Sequence, residues 1–163
     1  MFFRSDAIHG RVARAMRELP PPAPSAEEYA FAKALAATVP RRDREATLSM
    51  IGAPADLLRR AVHAEAGDFG AGYRIGGSLD TGDVSYAVPT GQLNAATWPL
   101  GIGAHTWQSC AASGSSLAFK RARWGAAVLA GTGLALASEP GLLESAKVEH
   151  ALKSRPYRST MDL

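Results

Sequence analysis

Apolar residues recur at helical spacing over much of this chain, and the breaks between those stretches fall at prolines and glycines. Ile8, Val12, Met16 and Leu19 stand three or four apart with arginines between them, which predicts an amphipathic helix over 6–19. Pro20, Pro21, Pro22 and Pro24 end it, because proline has no N–H to donate and pushes its predecessor toward extended backbone. Ser25 and Glu28 have the spacing of a capping box and open a second helix, with Phe31 and Leu35 on one stripe and Pro40 as its stop. Residues 41–51 are charged and irregular in pattern and are expected to form an exposed connection. Pro54, read as a first helical position, opens a short helix through Leu57, Leu58, Ala61 and Val62.

The pattern changes in the middle of the chain. Five glycines from Gly67 to Gly77 mark a turn-rich stretch. Short runs at 73–75 and 84–88 read as strands, and 93–98 as a weaker third. Ser115 or Ser116 is the expected N-cap of a long helix reaching toward Ser138, and a last helix follows Pro140, with Leu142, Leu143, Ala146 and His150 at helical spacing. Strands alternating with helices predict an α/β layer arrangement. The Ala/Gly-rich run 124–137 is expected as a buried helix packed on that sheet. It falls short of the roughly 20 residues that span a bilayer, so no membrane partner is expected.

Composition narrows the classes. A chain of 163 residues that is 47% hydrophobic and 20% charged has the material for one folded domain. The net charge of +3 is spread along the chain, and the basic groups at 41–44 and 120–123 lack the interleaved aromatics of a nucleic-acid platform. Cys110 is the single cysteine, so neither an internal disulfide nor a Cys-rich zinc site can form. The first residues lack the apolar stretch of a secretion signal, and a cytoplasmic location is expected.

Candidate chemistry gathers between Gly77 and Lys120. Asp80 and Asp83 flank Gly82 in SLDTGDVS, where a carboxylate can hold a ligand histidine in its tautomer, contact a substrate amide, or simply cap its own turn. His105 in GIGAHTWQ sits in a small-residue loop, a place where neutral imidazole ligates zinc, manganese or cobalt. Three protein ligands are needed for a catalytic metal, and no His-x-Asp, paired Glu-Glu or His-x-x-x-His occurs to supply them. Ser113, Ser115 and Ser116 precede the long helix and can either cap it or bind a carboxylate. No residue of the chain is assigned a catalytic role.

Taken in order, GSLDTGDVSYAVPT, GAHTWQ and SGSSLAFK resemble three motifs of the metal-dependent amidohydrolases of the aminoacylase and carboxypeptidase G type, in the aminobenzoyl-glutamate branch. The family patterns are GSTDVGDVSW-x-VPT, PLHSWQ and GSSIxHKG. Among the positions where this chain departs from them, Leu79 stands where the pattern has Thr and Phe119 where it has His. The resemblance implies the second half of a zinc-exopeptidase-like three-layer α/β catalytic domain. Residues 1–163 would be one partial domain, with a leading helix at 6–19 and the α/β part at 25–163, and without the lid domain that forms the family's dimer interface. It also implies a divalent metal, zinc or manganese, with His105 as the last metal ligand. Asp80, Asp83, Ser115 and Ser116 would orient substrate or support the ligands. The remaining ligands and the glutamate base belong to the family's first half, so cleavage of an N-acyl or aminobenzoyl amino acid would require a complementary N-terminal chain. The other expectation is a non-catalytic remnant that binds or self-associates.

Overall fold

The computed structural model describes residues 2–63, 65 and 79–157. Its helices are α1 (Asp6–Glu18), α2 (Ala26–Ala37), α3 (Arg41–Ser49), α4 (Thr81–Ala87), α5 (Trp107–Ser113), α6 (Ser116–Ser138) and α7 (Leu142–Lys153), with a 3-10 turn at Ala55–Arg59. The chain divides into two compact units. The described parts of the first are residues 2–19, 79–93 and 127–157; those of the second are residues 20–63, 65 and 94–126.

The expected α/β layering is not what forms. Among the described residues there is no strand in a sheet, only one isolated parallel bridge between Arg4 and Thr90. The expected strand at 84–88 lies almost wholly in α4, and 93–98 is irregular. A single strand leaves its backbone groups unpaired, so β-propensity alone does not hold one without a neighbour. In α4, Ser85 is fully buried and donates to the Gly82 carbonyl at 2.6 Å, which favours the helical turn. The expected strand at 73–75 and most of the glycine-rich stretch lie outside the described residues.

Residues 41–49 also differ from expectation, forming α3 and not an irregular connection. Arg and Glu are good helix formers; Arg41 donates to Glu45 one turn on, and Leu48 is the buried anchor. After Pro54 the chain makes only a 3-10 turn, and Ala61 and Val62 are buried beyond its end.

In the first unit α1 packs on α7 and buries Ile8, Val12 and Ala15. Glu149 of α7 accepts the Asp6 N–H at 2.7 Å, the Ala7 N–H at 3.1 Å and the Ser5 hydroxyl at 2.9 Å, so a distant carboxylate satisfies the open end of α1. Burial pushes the Glu149 carboxyl up, but Lys153, those two amides and Ser5 outweigh it and hold it at about 2. The Phe3 N–H donates to the Ser85 hydroxyl at 2.9 Å, and the Phe3 and Tyr86 rings meet edge to face at 4.7 Å. His150 completes the link, with Nε2 3.1 Å from the Ser85 carbonyl. A Cβ at Gly91 would lie 2.4 Å from Ile8 Cγ2, so any larger residue there would push the Ile8 side chain out of place.

In the second unit the core is Ala32, Ala61, Val62 and Leu117. The Ser25/Glu28 capping box forms as the spacing predicts. The Leu100 N–H donates to the Ala61 carbonyl, and the Arg44 guanidinium donates twice to the Leu100 carbonyl, at 3.1 and 2.9 Å. Gly101 has φ +79°, and a Cβ on it would fall 2.6 Å from Arg44 Cβ.

Helix α6 buries the stripe Trp124, Val128, Thr132 and Ala135, while Leu129 and Leu134 are exposed. The run 124–137 is thus helical but only half covered, and no sheet lies beneath it among the described residues. No single helix among the described residues is long and apolar enough to cross a membrane.

Candidate functional site

His105 sits where a turn hands over to α5. Thr106 caps that helix: its hydroxyl accepts the Ser109 N–H at 3.1 Å, and the Ser109 hydroxyl accepts the Thr106 N–H at 3.2 Å. The Thr106 hydroxyl also donates to the Gly103 carbonyl at 3.0 Å. Cap and turn leave His105 with φ +61°, the sole non-glycine residue at positive φ among the described residues. Left-handed backbone is uncommon for a residue with a Cβ, though histidine tolerates it better than most. The side chain is exposed. Fixing the backbone on both sides of an exposed imidazole presents it to whatever lies outside this loop.

Asp80 and Asp83 lie in the first unit, at the start of α4. Asp80 occupies the N-cap position without a side-chain cap bond, Asp83 stands in the first turn, and both are exposed. The structure therefore distributes the sequence-selected residues over both units, with His105, Ser115 and Ser116 in the second.

Ser115 is tied into the backbone: its hydroxyl donates to the Ala112 carbonyl at 2.6 Å and accepts the Ala118 N–H at 3.2 Å. The hydroxyl of Ser116 serves Glu28, whose carboxylate also takes Lys120 Nζ at 2.6 Å. These contacts hold Glu28 at about 2: Lys120 contributes most, then the Ser25 amide, against burial, with Ser116 adding a smaller share. The first turn of α6 thus meets a carboxylate of its own chain. Arg121, next to Lys120, is 1% exposed; its Nε and Nη2 have no hydrogen-bond partner among the described residues. Burial lowers the Arg121 pKa, and the Glu28 charge opposes that.

A catalytic metal needs three protein ligands. No group of three His, Cys, Asp or Glu side chains that could hold an ion occurs among the described residues. On donor chemistry, His105 alone falls short of a complete cage.

Sequence reading missed Glu28 and Lys120 as partners, since 92 residues separate them and no local spacing signals the pair. It also missed a cavity of about 300 Å³ on the other side of α2, lined by Tyr29, Lys33, Arg44, Arg59 and Arg60 over Ala36, Ala37, Leu58 and Ala61. The available signal was the spacing of Tyr29, Lys33, Ala36 and Ala37, which places them on one helix face.

Over 145 residues the chain is 32% identical to a subunit of the p-aminobenzoyl-glutamate hydrolase of Escherichia coli (strain K12). The match covers 82% of this chain and 30% of the relative, so the chain spans under a third of the length of the curated relative it matches. No protein-family model and no solved structure matches it.

Proposed function

From the premise that this chain belongs to the p-aminobenzoyl-glutamate hydrolase family, we propose that it supplies part of a metal-dependent amide-hydrolase site, with His105 as one metal ligand. The observation that carries the reading is the His105 loop: an exposed imidazole on left-handed backbone, clamped by the Thr106 cap. The other metal ligands and the general base come from the remainder of the family's architecture, on a separate chain or in a longer polypeptide. His105 would contribute one ligand to that metal, which would supply Lewis-acid chemistry for amide hydrolysis. This chain's own work at that metal is to hold the imidazole in place. The substrate class is an N-acyl or aminobenzoyl amino acid, the metal is zinc or manganese, and the setting is the cytoplasm. The relative is named as one subunit of its hydrolase, which supports a partner chain.

Transplanting the matching segment of this chain into the E. coli relative tests this reading. Hydrolysis of p-aminobenzoyl-glutamate by the folded chimera, at least 100-fold weaker in its His105→Ala form, is the expected result; that fold is about 2.7 kcal/mol. A folded chimera that is inactive, or one whose activity ignores His105→Ala, contradicts it.

A second reading, a non-catalytic module that self-associates, is favoured by apolar side chains left uncovered in the first unit. Leu129, Leu134, Leu143, Val148 and Leu152 are exposed, Leu152 by 83%. Light scattering separates the two: a chain that stays monomeric at high concentration counts against self-association.

A further inference from the structure

We infer that the cavity between α2, α3 and the 3-10 turn is a binding site for a small dianion with a flat apolar body, such as an aryl phosphate or an aromatic dicarboxylate. None of its residues belongs to the motifs on which the hydrolase reading stands, so the two inferences succeed or fail separately.

Four cationic side chains line the cavity, Lys33, Arg44, Arg59 and Arg60, and no acid is among its described lining residues. Arg60 is paired with Glu65, and Asp56 contributes charge nearby. Lys33 and Arg59 have no acidic partner among the described residues. Arg44 spends its Nε and one Nη2 donor on the Leu100 carbonyl, which leaves three of the five N–H donors of a guanidinium for a ligand. Burial, and then the charge of Arg41, lower the pKa of Arg44. Like charges around one concavity repel each other, and a dianion seated among them relieves that repulsion while gaining bidentate bonds.

The floor and wall define the rest of the ligand. Ala36, Ala37, Leu58 and Ala61 form an apolar base, and the Tyr29 ring stands at the edge, 40% exposed. An aromatic ring of the ligand has a stacking partner in Tyr29 and apolar side chains below it. The volume, about 300 Å³, is at the lower end for small-molecule sites, so it suits one ring with its anionic groups and not a cofactor.

The probes are phenyl phosphate, isophthalate and inorganic phosphate, titrated calorimetrically into the 163-residue chain. Phenyl phosphate or isophthalate is expected to bind at least 10-fold more tightly than inorganic phosphate, and the better of the two identifies phosphoryl or carboxylate as the preferred anion. Lys33→Gln with Arg59→Gln, both at exposed positions, should weaken binding at least 10-fold with the circular dichroism spectrum unchanged. Tyr29→Leu should weaken the two aromatic probes and leave inorganic phosphate as it was. Absence of binding by all three probes at roughly 10 mM overturns the inference. So does an equal loss from Arg14→Gln, an exposed arginine of the first unit, because that result means only general charge attraction.

Discussion

Glu149 of α7 caps a helix that begins 143 residues earlier, accepting the Asp6 N–H at 2.7 Å while its other oxygen takes the Ala7 N–H. The C-terminal helix thereby closes the open end of the N-terminal one, and Lys153 bridges the same carboxylate to Asp6.

Replacing Glu149 by Ala should cost about 2 kcal/mol, because two amides and the Ser5 hydroxyl lose a charged acceptor. The matching pH effect has a defined sign. The carboxyl sits at about 2 when folded against an ordinary value of 4.5, so its stabilisation is complete above 4.5 and is lost as the pH falls toward 2. Thermal melts taken from about pH 6 down to about pH 2 should therefore converge for wild type and Glu149→Ala at the acid end. A constant gap across that range contradicts the assignment.

Lys120 should govern the ionisation of Glu28. In Lys120→Met the Glu28 carboxyl loses its largest stabilising contact and should titrate well above the value near 2 that it has in the native chain. Carbon-detected NMR of the carboxyl resonances reads this directly, and an unmoved titration would assign the depression to Ser25 and Ser116 alone.

Arg121 gives a prediction of the opposite sign. A buried guanidinium with two nitrogens unpartnered among the described residues bears a desolvation cost that a thioether of similar length avoids. Arg121→Met should raise the unfolding free energy by about 1 kcal/mol or more, measured by urea denaturation. A loss of stability would show that Arg121 and Glu28 attract each other by more than burial costs.

These pairs mark the boundary of what the sequence reveals. The Ser25/Glu28 cap and the helices from Asp6, Ser116 and Leu142 were legible because their signals are local: cap residues, prolines and helical periodicity within one segment. Helix α4 was not, because its sequence favours strand and its helical turn is fixed by Ser85, which is buried against Phe3 from the far end of the chain. Helix α5 was hidden by its brevity, although Thr106 and Ser109 hold its capping box. Of the site, the motif residues could be named in advance. The carboxylate that meets Ser116 and Lys120 could not, since only the fold brings Glu28 there.

Backbone strain at His105 separates its structural from its chemical part. Left-handed backbone suits glycine, so His105→Gly should be more stable than His105→Ala by about 1 kcal/mol. Both variants remove the imidazole, and both should abolish any metal contribution in the transplanted chimera. Equal melting of the two variants would mean that the loop relaxes and imposes no left-handed geometry.

The proposed function stands or falls with the His105 imidazole as one ligand of a metal site. Nitrogen-15 NMR of histidine-labelled chimera, recorded while zinc is added, tests it most directly. A coordination shift is expected at one ring nitrogen of His105, with the rings of His9, His63 and His150 unmoved. Zinc that binds the chimera while leaving both His105 nitrogens unshifted would contradict it.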